Sequence, residues 1–306
     1  MVENTEPRNT LGEKAARQLA NATKTHAQLL EITPRWLVSF LPWTPVEAGI
    51  YRLNRVVTER TGDIDCSPIG DEDLPETFVN YDEQPREYLL NAVTTVLDIQ
   101  TRVSDLYSSP IDQVREQLRL IIEKVKEKQE NELINNAEYG LIPNAAASQV
   151  IQTRAGAPTP DDLDELITKV WKEPAFFLAH PKAIAAFGRE ATYRGVPPPT
   201  VNLFGSPFLT WRGIPLVPTD KLAVGDDNRT KILLLRTGEK KQGVVGLFQP
   251  GLPGEVSPSL SVRFMGINHK AVASYLVSLY CSLAILTEDA LGVLEGVDVG
   301  QYHEYK

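Results

Sequence analysis

The chain has 306 residues, of which 42% are hydrophobic and 23% are charged, and its formal net charge is −9. This composition is that of a globular protein, and the length suits one large domain or two or three lobes. The acidic balance argues against a nucleic-acid partner, because a phosphate backbone is bound by clustered lysines and arginines.

Cysteine usage and the first residues indicate a cytoplasmic protein. Cys66 and Cys281 are far apart and no Cys/His cluster accompanies them, so we expect neither a disulfide framework nor a structural zinc. Two thiols suit a reducing cytosol, and residues 1–10 lack the basic and apolar regions of a secretory signal. The longest uncharged apolar run, residues 271–287, alternates with a period of two, which predicts a strand and no membrane insertion.

The first apolar segment in chain order is RWLVSFLPW at residues 35–43, which follows a helix predicted over residues 11–30. Thr33 and Pro34 form a pattern typical of an N-cap followed by proline at the first helical position. The short helix that follows carries one apolar stripe, formed by Trp36, Leu37, Phe40 and Leu41. This stripe needs burial, and the helix is too short to span a membrane.

Two alternating segments then flank a long polar stretch. Residues 50–57 and 88–104 have the period of strands, and the residues between them are rich in acids, glycine and proline. The pattern predicts a strand that runs outward, a long loop, and a strand that returns. Loops longer than about 15 residues usually have a function, such as a lid, a binding arm or an interface.

The next element is a long helix over residues 110–135. Ser109 is the predicted N-cap, Pro110 occupies the first turn, and Asp112 complements the helix dipole. About 25 residues give a length of roughly 37 Å. One stripe is apolar and the opposite face carries lysine, glutamate and glutamine; the apolar positions are Ile111, Val114, Leu118, Ile121, Val125 and Leu133.

The second half of the chain mixes short helices and strands. Thr159-Pro160 predicts a capped helix through Trp171, and residues 195–205 (GVPPPTVNLFG) predict a rigid extended loop. Residues 259–265 and 275–285 alternate and are expected to pair as a hairpin, with one face of the second strand buried. The other predicted elements are a helix over 181–194 and strands over 175–180, 209–212, 231–236 and 243–248. The fold class is therefore α+β.

No catalytic motif supports an enzyme. The sequence contains no GxGxxG, no P-loop, no HExxH and no GxSxG. Its four histidines stand alone, and the acids at Asp161, Asp162, Asp164 and Glu165 are explained by the dipole of a helix N-terminus. Cys66 is a candidate reactive thiol, but no histidine or lysine close in sequence favours its thiolate, so a spectator role is the stronger interpretation.

The order of the elements resembles the major capsid proteins of tailed bacteriophages, the Hong Kong 97 type. The resemblance implies an N-terminal arm at residues 1–45 and a peripheral domain at 46–139 and 251–306. The peripheral domain includes an extended loop at about 50–90 and a spine helix at about 110–135. Residues 140–250 would form an axial domain.

Particular words narrow this resemblance to the family 2A encapsulins, the shells of bacterial nanocompartments. They include ITPRWL at 32–37, ELINNAEYGL at 132–141, AGAPTPDDLDELITKVWK at 155–172 and SVRFMGINHKAVASYLVSLYCSLA at 261–284. The resemblance implies a self-assembling icosahedral shell of about sixty copies around a cargo enzyme, expected to be a cysteine desulfurase in sulfur metabolism. Pyridoxal phosphate would belong to that cargo, and no cofactor is implied for this chain.

The resemblance also implies where assembly contacts lie. Residues of the arm and of the extended loop are expected to fix the subunit to its own or a neighbouring peripheral domain; these are Trp36, Leu37, Phe40, Trp43, Phe78 and Tyr81. The loop at residues 192–199 is a candidate lining of a five-fold pore through Tyr193, Arg194 and Pro197, and an ordinary connecting loop is the alternative. The residues that dock cargo are not identified by the sequence.

Three alternatives remain open at this stage. A phage-type capsid protein has the same fold, although a shell with a charge of −9 per copy suits genome packing poorly. A sulfur-linked enzyme acting through Cys66 and a peripheral membrane protein using the Trp-rich segment belong to other classes.

Overall fold

The computed structural model describes residues 14–15, 17–18, 32–54, 56–57, 80–100 and 112–303. Two sheets and a long helix dominate this part of the chain. Its helices of five or more residues are α1 (Trp36–Phe40), α2 (Gln113–Asn135), α3 (Pro160–Lys169) and α4 (Pro181–Tyr193). Of the helix predicted over residues 11–30, only four residues are described, and they have helical backbone.

The first sheet has six strands and forms around one long central strand, β16 (Val272–Ile285). Its order is β1-β13-β16-β15-β14, with β6 also paired to β16. The remaining strands of this sheet are β1 (Trp43–Pro45), β6 (Asn91–Gln100), β13 (Val244–Phe248), β14 (Glu255–Ser257) and β15 (Leu260–Ile267). The predicted hairpin is confirmed, because β15 and β16 pair antiparallel from Leu260 opposite Leu279 to Ile267 opposite Ala273.

The second sheet has seven strands in the order β7-β17-β12-β8-β11-β10-β9. Its members are β7 (Val150–Gln152), β8 (Phe176–Ala179), β9 (Thr200–Leu203), β10 (Ser206–Trp211), β11 (Ile214–Pro218), β12 (Arg229–Leu235) and β17 (Leu291–Asp298). Alternate residues of β8 face two separate cores: Phe176 and Leu178 lie in one, and Phe177 and Ala179 lie in the other. Helices α3 and α4 cover the second core, whereas α1 and the end of α2 cover the first.

Two short ribbons mark the predicted outward and returning strands. β2 (Ile50–Leu53) pairs with β5 (Arg86–Leu89), and β3 (Val56–Val57) pairs with β4 (Asn80–Tyr81). The strand predicted over residues 88–104 is divided between two partners, because residues 86–89 pair with β2 whereas residues 91–100 pair with β16. Residues 58–79, which hold most of the predicted extended loop, lie outside the described residues.

The spine helix is confirmed, but its start differs from the prediction. Asp112 is the N-cap: it accepts a 3.1 Å hydrogen bond from the Arg115 amide through its side chain. The predicted cap, Ser109, and residues 110–111 lie outside the described residues. The Asp112 carboxylate satisfies one free amide of the first turn, that of Arg115 three residues later, which places the helix start at Gln113. The apolar stripe of α2 packs on β6, β15 and β16 through Val125, with Leu118 and Ile121 beside it.

The burial of β16 differs from the prediction of one buried face. From Val277 onward nearly every residue is buried, including Ser278 and Ser282. The physical reason is that both faces of this half are covered. Leu283 and Ile285 pack in the largest core, and Ala284 on the opposite face packs with Tyr88 of the β2–β5 ribbon.

In the second half of the chain, the local sequence patterns predicted the helix starts correctly but missed several strands. Thr159 caps α3 in a reciprocal capping box with Asp162, as predicted, although α3 ends at Lys169 and not at Trp171. The loop predicted over residues 195–205 contains β9, because those residues pair with β10. β7, β11 and β17 were not predicted, since each is short or buried without a regular period.

Two strands lie in the sheet of the other predicted domain. β13 belongs to residues 140–250 in the predicted division, yet it pairs with β16 in the six-stranded sheet. β17 falls within residues 251–306, yet it pairs with β12 in the seven-stranded sheet. The peripheral and axial domains stay a prediction, and the chain crosses between the two sheets more often than that division implies.

Candidate assembly site

The N-terminal segment enters the described structure at Ile32 and is bound by the spine helix. Thr33, predicted to cap α1, does not do so: its amide and its hydroxyl each donate a 2.8 Å hydrogen bond to the carboxylate of Glu127. The residue before α1 is Arg35, which has a left-handed backbone with φ of 49° and no side-chain cap. The predicted cap is therefore wrong, because the helix begins at Trp36 and the Thr33 hydroxyl donates to α2.

Glu127 joins three parts of the chain at one carboxylate. Besides Thr33, it accepts hydrogen bonds from the Arg35 guanidinium and from Lys221 Nζ, each at 2.9 Å. Burial by itself raises the pKa of Glu127, but the hydrogen bonds from Thr33 and Lys221 outweigh burial and leave it below its ordinary value. A charged Glu127 therefore connects the N-terminal segment and the Lys221 loop to the spine helix.

Glu130 lies one turn further along α2 and has a different electrostatic state. Its Oε1 accepts a 3.0 Å hydrogen bond from the Leu37 amide, and the residue is 1% exposed. Burial raises the pKa of Glu130 to about 7, and the Leu37 hydrogen bond opposes that shift only in part. We call the contacts of Thr33, Arg35 and Leu37 with Glu127 and Glu130 the polar clasp.

An aromatic cluster holds the other side of the same segment. The ring of Trp36 lies 5.2 Å from that of Phe208, and the ring of Phe40 lies 5.1 Å from those of both Phe176 and Phe204. Phe204 adopts a φ of 50° in the turn between β9 and β10, which brings its ring over α1. Trp36, Leu37 and Phe40 are thus brought together, and they join the spine helix to the seven-stranded sheet of the same chain.

Trp43 makes a different set of contacts from those of Trp36 and Phe40. It is the first residue of β1, which pairs parallel with β13 so that Trp43 lies opposite Gly246. Its indole Nε1 donates a 3.0 Å hydrogen bond to the Val38 carbonyl. A Cβ at Gly246 would lie 2.7 Å from Trp43 Cε3, so the close approach of the indole requires glycine there.

The remaining predicted contact residues lie apart from this site. Tyr81 is in β4 opposite Val56 and is 65% exposed, whereas Phe78 lies outside the described residues. Whether these residues contact a neighbouring copy stays a prediction.

The candidate pore residues lie at the C-terminal end of α4. Tyr193 is the last residue of the helix and is 59% exposed, and Arg194 follows it as the C-cap. Gly195 turns the chain with a φ of +79°, after which Pro197 lies exposed. The structure therefore brings Tyr193 and Arg194 together at the tip of a helix.

Several residues of this site were not singled out in the sequence. Glu127 and Glu130 belong to the polar clasp, Lys221 binds Glu127 beside it, and Phe204 and Phe208 belong to the aromatic cluster. In the sequence, the face of α2 opposite its apolar stripe is only described as carrying lysine, glutamate and glutamine. A local signal for burial of Glu130 is its position one turn before Leu133 and Ile134, which are fully buried.

Other chemistry finds little support in the described residues. They contain no group of three metal-binding side chains and no helix long and apolar enough to cross a membrane. Cys281 is buried, and burial raises the pKa of its thiol to about 12, which makes it a poor nucleophile. The candidate thiol Cys66 lies outside the described residues.

Comparison with known proteins identifies shell proteins as relatives of this chain. The family model for "Type 2A encapsulin shell protein SrpI-like" matches residues 52–301. The type 2A encapsulin shell protein SrpI of Synechococcus elongatus is 67% identical over 300 residues, which cover 98% of each chain. The cryo-EM structure of the holo-SrpI encapsulin complex from the same species matches with a TM-score of 0.84 at 65% identity, over 97% of this chain and 99% of that chain.

A more distant likeness concerns the fold alone. The capsid of a native GTA particle matches with a TM-score of 0.62 at 14% identity, over 97% of this chain and 96% of that chain. Together with the encapsulin match, it confirms the predicted phage-capsid fold.

Proposed function

This chain belongs to the SrpI-like family of type 2A encapsulin shell proteins, and we propose that about sixty copies assemble into a closed icosahedral shell around a cysteine desulfurase. The observation that carries the proposal is the 67% identity to SrpI over 98% of both chains. The solved relative is described as a holo complex, which supports a shell that holds something inside.

Membership of this family also decides the class of the protein. The relatives are named as shell proteins, which confirms the prediction that this chain is structural and not an enzyme. Chemistry inside the shell would then belong to the cargo, and pyridoxal phosphate would be bound by the desulfurase and not by this chain. The shell would lie in the cytoplasm.

The polar clasp and the aromatic cluster support an assembly role for the N-terminal segment. They fix residues 33–40 between the spine helix and the seven-stranded sheet, so the N-terminal segment has one defined position on the subunit. A closed shell repeats each contact between copies many times, and weak individual contacts therefore suffice when the subunit presents them in a constant geometry.

The exposed tip of α4 supports the pore proposal. Tyr193, Arg194 and Pro197 are exposed together beside a turn, and in a shell they would surround the five-fold axis. One phenol and one guanidinium per copy would line the ring, and each guanidinium is paired with the carboxylate of Glu190, 2.6 Å away. The ring would therefore be polar, with no net charge from this pair.

The shell and its cargo are tested in one purification. The chain is expressed with a candidate desulfurase and with an unrelated pyridoxal enzyme as the control. Particles are separated by size-exclusion chromatography and imaged by electron microscopy. We expect uniform closed particles that retain the desulfurase and its pyridoxal absorbance but not the control enzyme.

Two results would contradict the proposal in different ways. Monomers or small oligomers in all conditions of pH and salt would reject the shell. Closed particles that retain nuclease-resistant DNA, and no desulfurase, would favour a phage-type capsid protein.

A further inference from the structure

Residues 299–303 lie against the last turns of α4. They follow the end of β17 at Asp298 without regular secondary structure, and we call them the C-terminal strap. The strap begins in the core, because Val299 is 5% exposed and its amide donates to the Asn228 carbonyl. Its direction after this point is therefore set by the seven-stranded sheet.

Arg189 of α4 holds the middle of the strap at two places. Its guanidinium donates a 3.1 Å hydrogen bond to the Val299 carbonyl and lies 4.2 Å from the centre of the Tyr302 ring. Two further hydrogen bonds hold the strap, because the Gly300 backbone amide and the Gln301 side-chain amide both donate to the Asp298 carboxylate. The segment is thus bound to the helix and to its own strand.

Glu190 links the end of the strap to a candidate pore residue. This residue is only 6% exposed, yet its two carboxylate oxygens are each used. Oε1 accepts a 2.6 Å hydrogen bond from Arg194 Nε, and Oε2 lies 2.6 Å from His303 Nε2. One buried carboxylate therefore orients both Arg194 and the imidazole of His303.

The second candidate pore residue is held by the same imidazole. The rings of His303 and Tyr193 are stacked, with centroids 4.0 Å apart and planes 2° from parallel. His303 consequently touches the pore candidate Tyr193 directly and reaches Arg194 through Glu190. The strap therefore supplies lateral support to both side chains at the end of the helix.

We propose that the C-terminal strap is a brace for the tip of α4, in which His303 and Glu190 are positioning residues that set the direction of Tyr193 and Arg194. The brace rests on the proposed function in one respect: its effect on transport requires that these two side chains line a pore. Its effect on the order of the tip does not require a shell.

The proposal is tested with His303→Ala, compared with His269→Ala as a control. His269 is an exposed histidine in the turn between β15 and β16, far from α4 in the fold. Hydrogen–deuterium exchange is measured for residues 299–303 and for the amides of Gly195 and Val196, which donate to Thr192 and Ala191. We expect exchange to become about twofold to tenfold faster in both segments of His303→Ala, the factor that corresponds to losing one aromatic pair.

Two further variants separate the two contacts of the imidazole. His303→Phe keeps a ring that can stack on Tyr193 but cannot donate to Glu190, whereas His303→Gln keeps a donor and loses the ring. We expect each variant to show an intermediate increase in exchange, and the melting temperature of the particles to stay that of the control.

Transport is measured on particles that enclose a fluorescent dye, from the rate at which external iodide quenches it. Faster exchange at Gly195 and Val196 together with a changed quenching rate supports the brace and the pore. Faster exchange with an unchanged quenching rate retains the brace and rejects the pore. Unchanged exchange at Gly195 and Val196 in His303→Ala overturns the brace, whatever the particles do.

Discussion

The Leu37 amide donates a 3.0 Å hydrogen bond to the buried carboxyl group of Glu130, which lies 93 positions further along the chain. This contact joins the N-terminal segment to the spine helix through an uncharged donor, the backbone amide of Leu37. Because burial raises the pKa of Glu130 to about 7, the carboxyl group in this contact changes from neutral to charged near neutral pH.

Glu130→Gln should remove one pH dependence of stability. The folded pKa of Glu130, about 7, exceeds the ordinary value of 4.5, so its contribution is fully present below about pH 4.5 and is lost as the pH rises through 7. The change in the free energy of unfolding is about 3 kcal/mol at most. Glutamine keeps an acceptor for Leu37 but does not ionise.

Urea unfolding of wild type and Glu130→Gln between pH 5 and pH 8 measures this difference. We expect the wild type to lose stability relative to the variant across that range. If the free energies of unfolding of the two proteins changed equally with pH, Glu130 would not titrate in the folded state over that pH range.

Glu127→Ala should destabilise the folded subunit by about 3 kcal/mol, because Arg35 and Lys221 would each lose a shielded carboxylate partner. The matched control is Glu87→Ala, which removes the exposed pair with Arg52 and should cost less than about 1 kcal/mol. The free energy of unfolding at pH 7 distinguishes the two. Equal losses would mean that the polar clasp contributes no more than a surface ion pair.

Trp36→Ala should impair both stability and assembly. The indole packs against Phe40, Phe204 and Phe208, and its loss should cost about 2 to 4 kcal/mol. Trp171→Ala is the control, since that tryptophan is 69% exposed. Thermal unfolding and the yield of particles on size-exclusion chromatography are measured together. Normal particles with a normal melting temperature from Trp36→Ala would reject an assembly role for the aromatic cluster.

Gly246→Ala should destabilise the six-stranded sheet by about 1 to 3 kcal/mol, because the new methyl group would meet the Trp43 ring. Gly188→Ala in α4 is the control: its Cβ would lie 3.7 Å from Leu209 Cδ1, an ordinary contact, and alanine favours the helix.

A double variant tests the cause. Trp43→Leu removes the ring that the methyl group of Gly246→Ala would meet. The two substitutions together should therefore lower the free energy of unfolding by less than the sum of their separate effects. Simple additivity would place the strain elsewhere.

Much of the fold was predicted from local patterns. The N-cap at Thr159, the apolar stripe of α2 around Val125, and the alternation of β15 all involve neighbours a few residues apart. The candidate site was predicted in part: the stripe of Trp36, Leu37 and Phe40 was found because its period is local. Its partners on α2 and on the seven-stranded sheet have no local signal.

The sequence by itself determined the longer helices and the β15–β16 hairpin, and its quoted segments identified the family, because periods of 2 and 3.6 residues and family words all lie within short windows. Only the tertiary structure decided that Glu127 and Glu130 turn inward, that both faces of β16 are covered, and that His303 stacks on Tyr193. These results depend on pairs of residues 94, 93 and more than 100 positions apart. Such pairs form because folding brings residues from distant parts of the chain into contact. A polar group that is buried there must find a hydrogen-bond partner among its new neighbours.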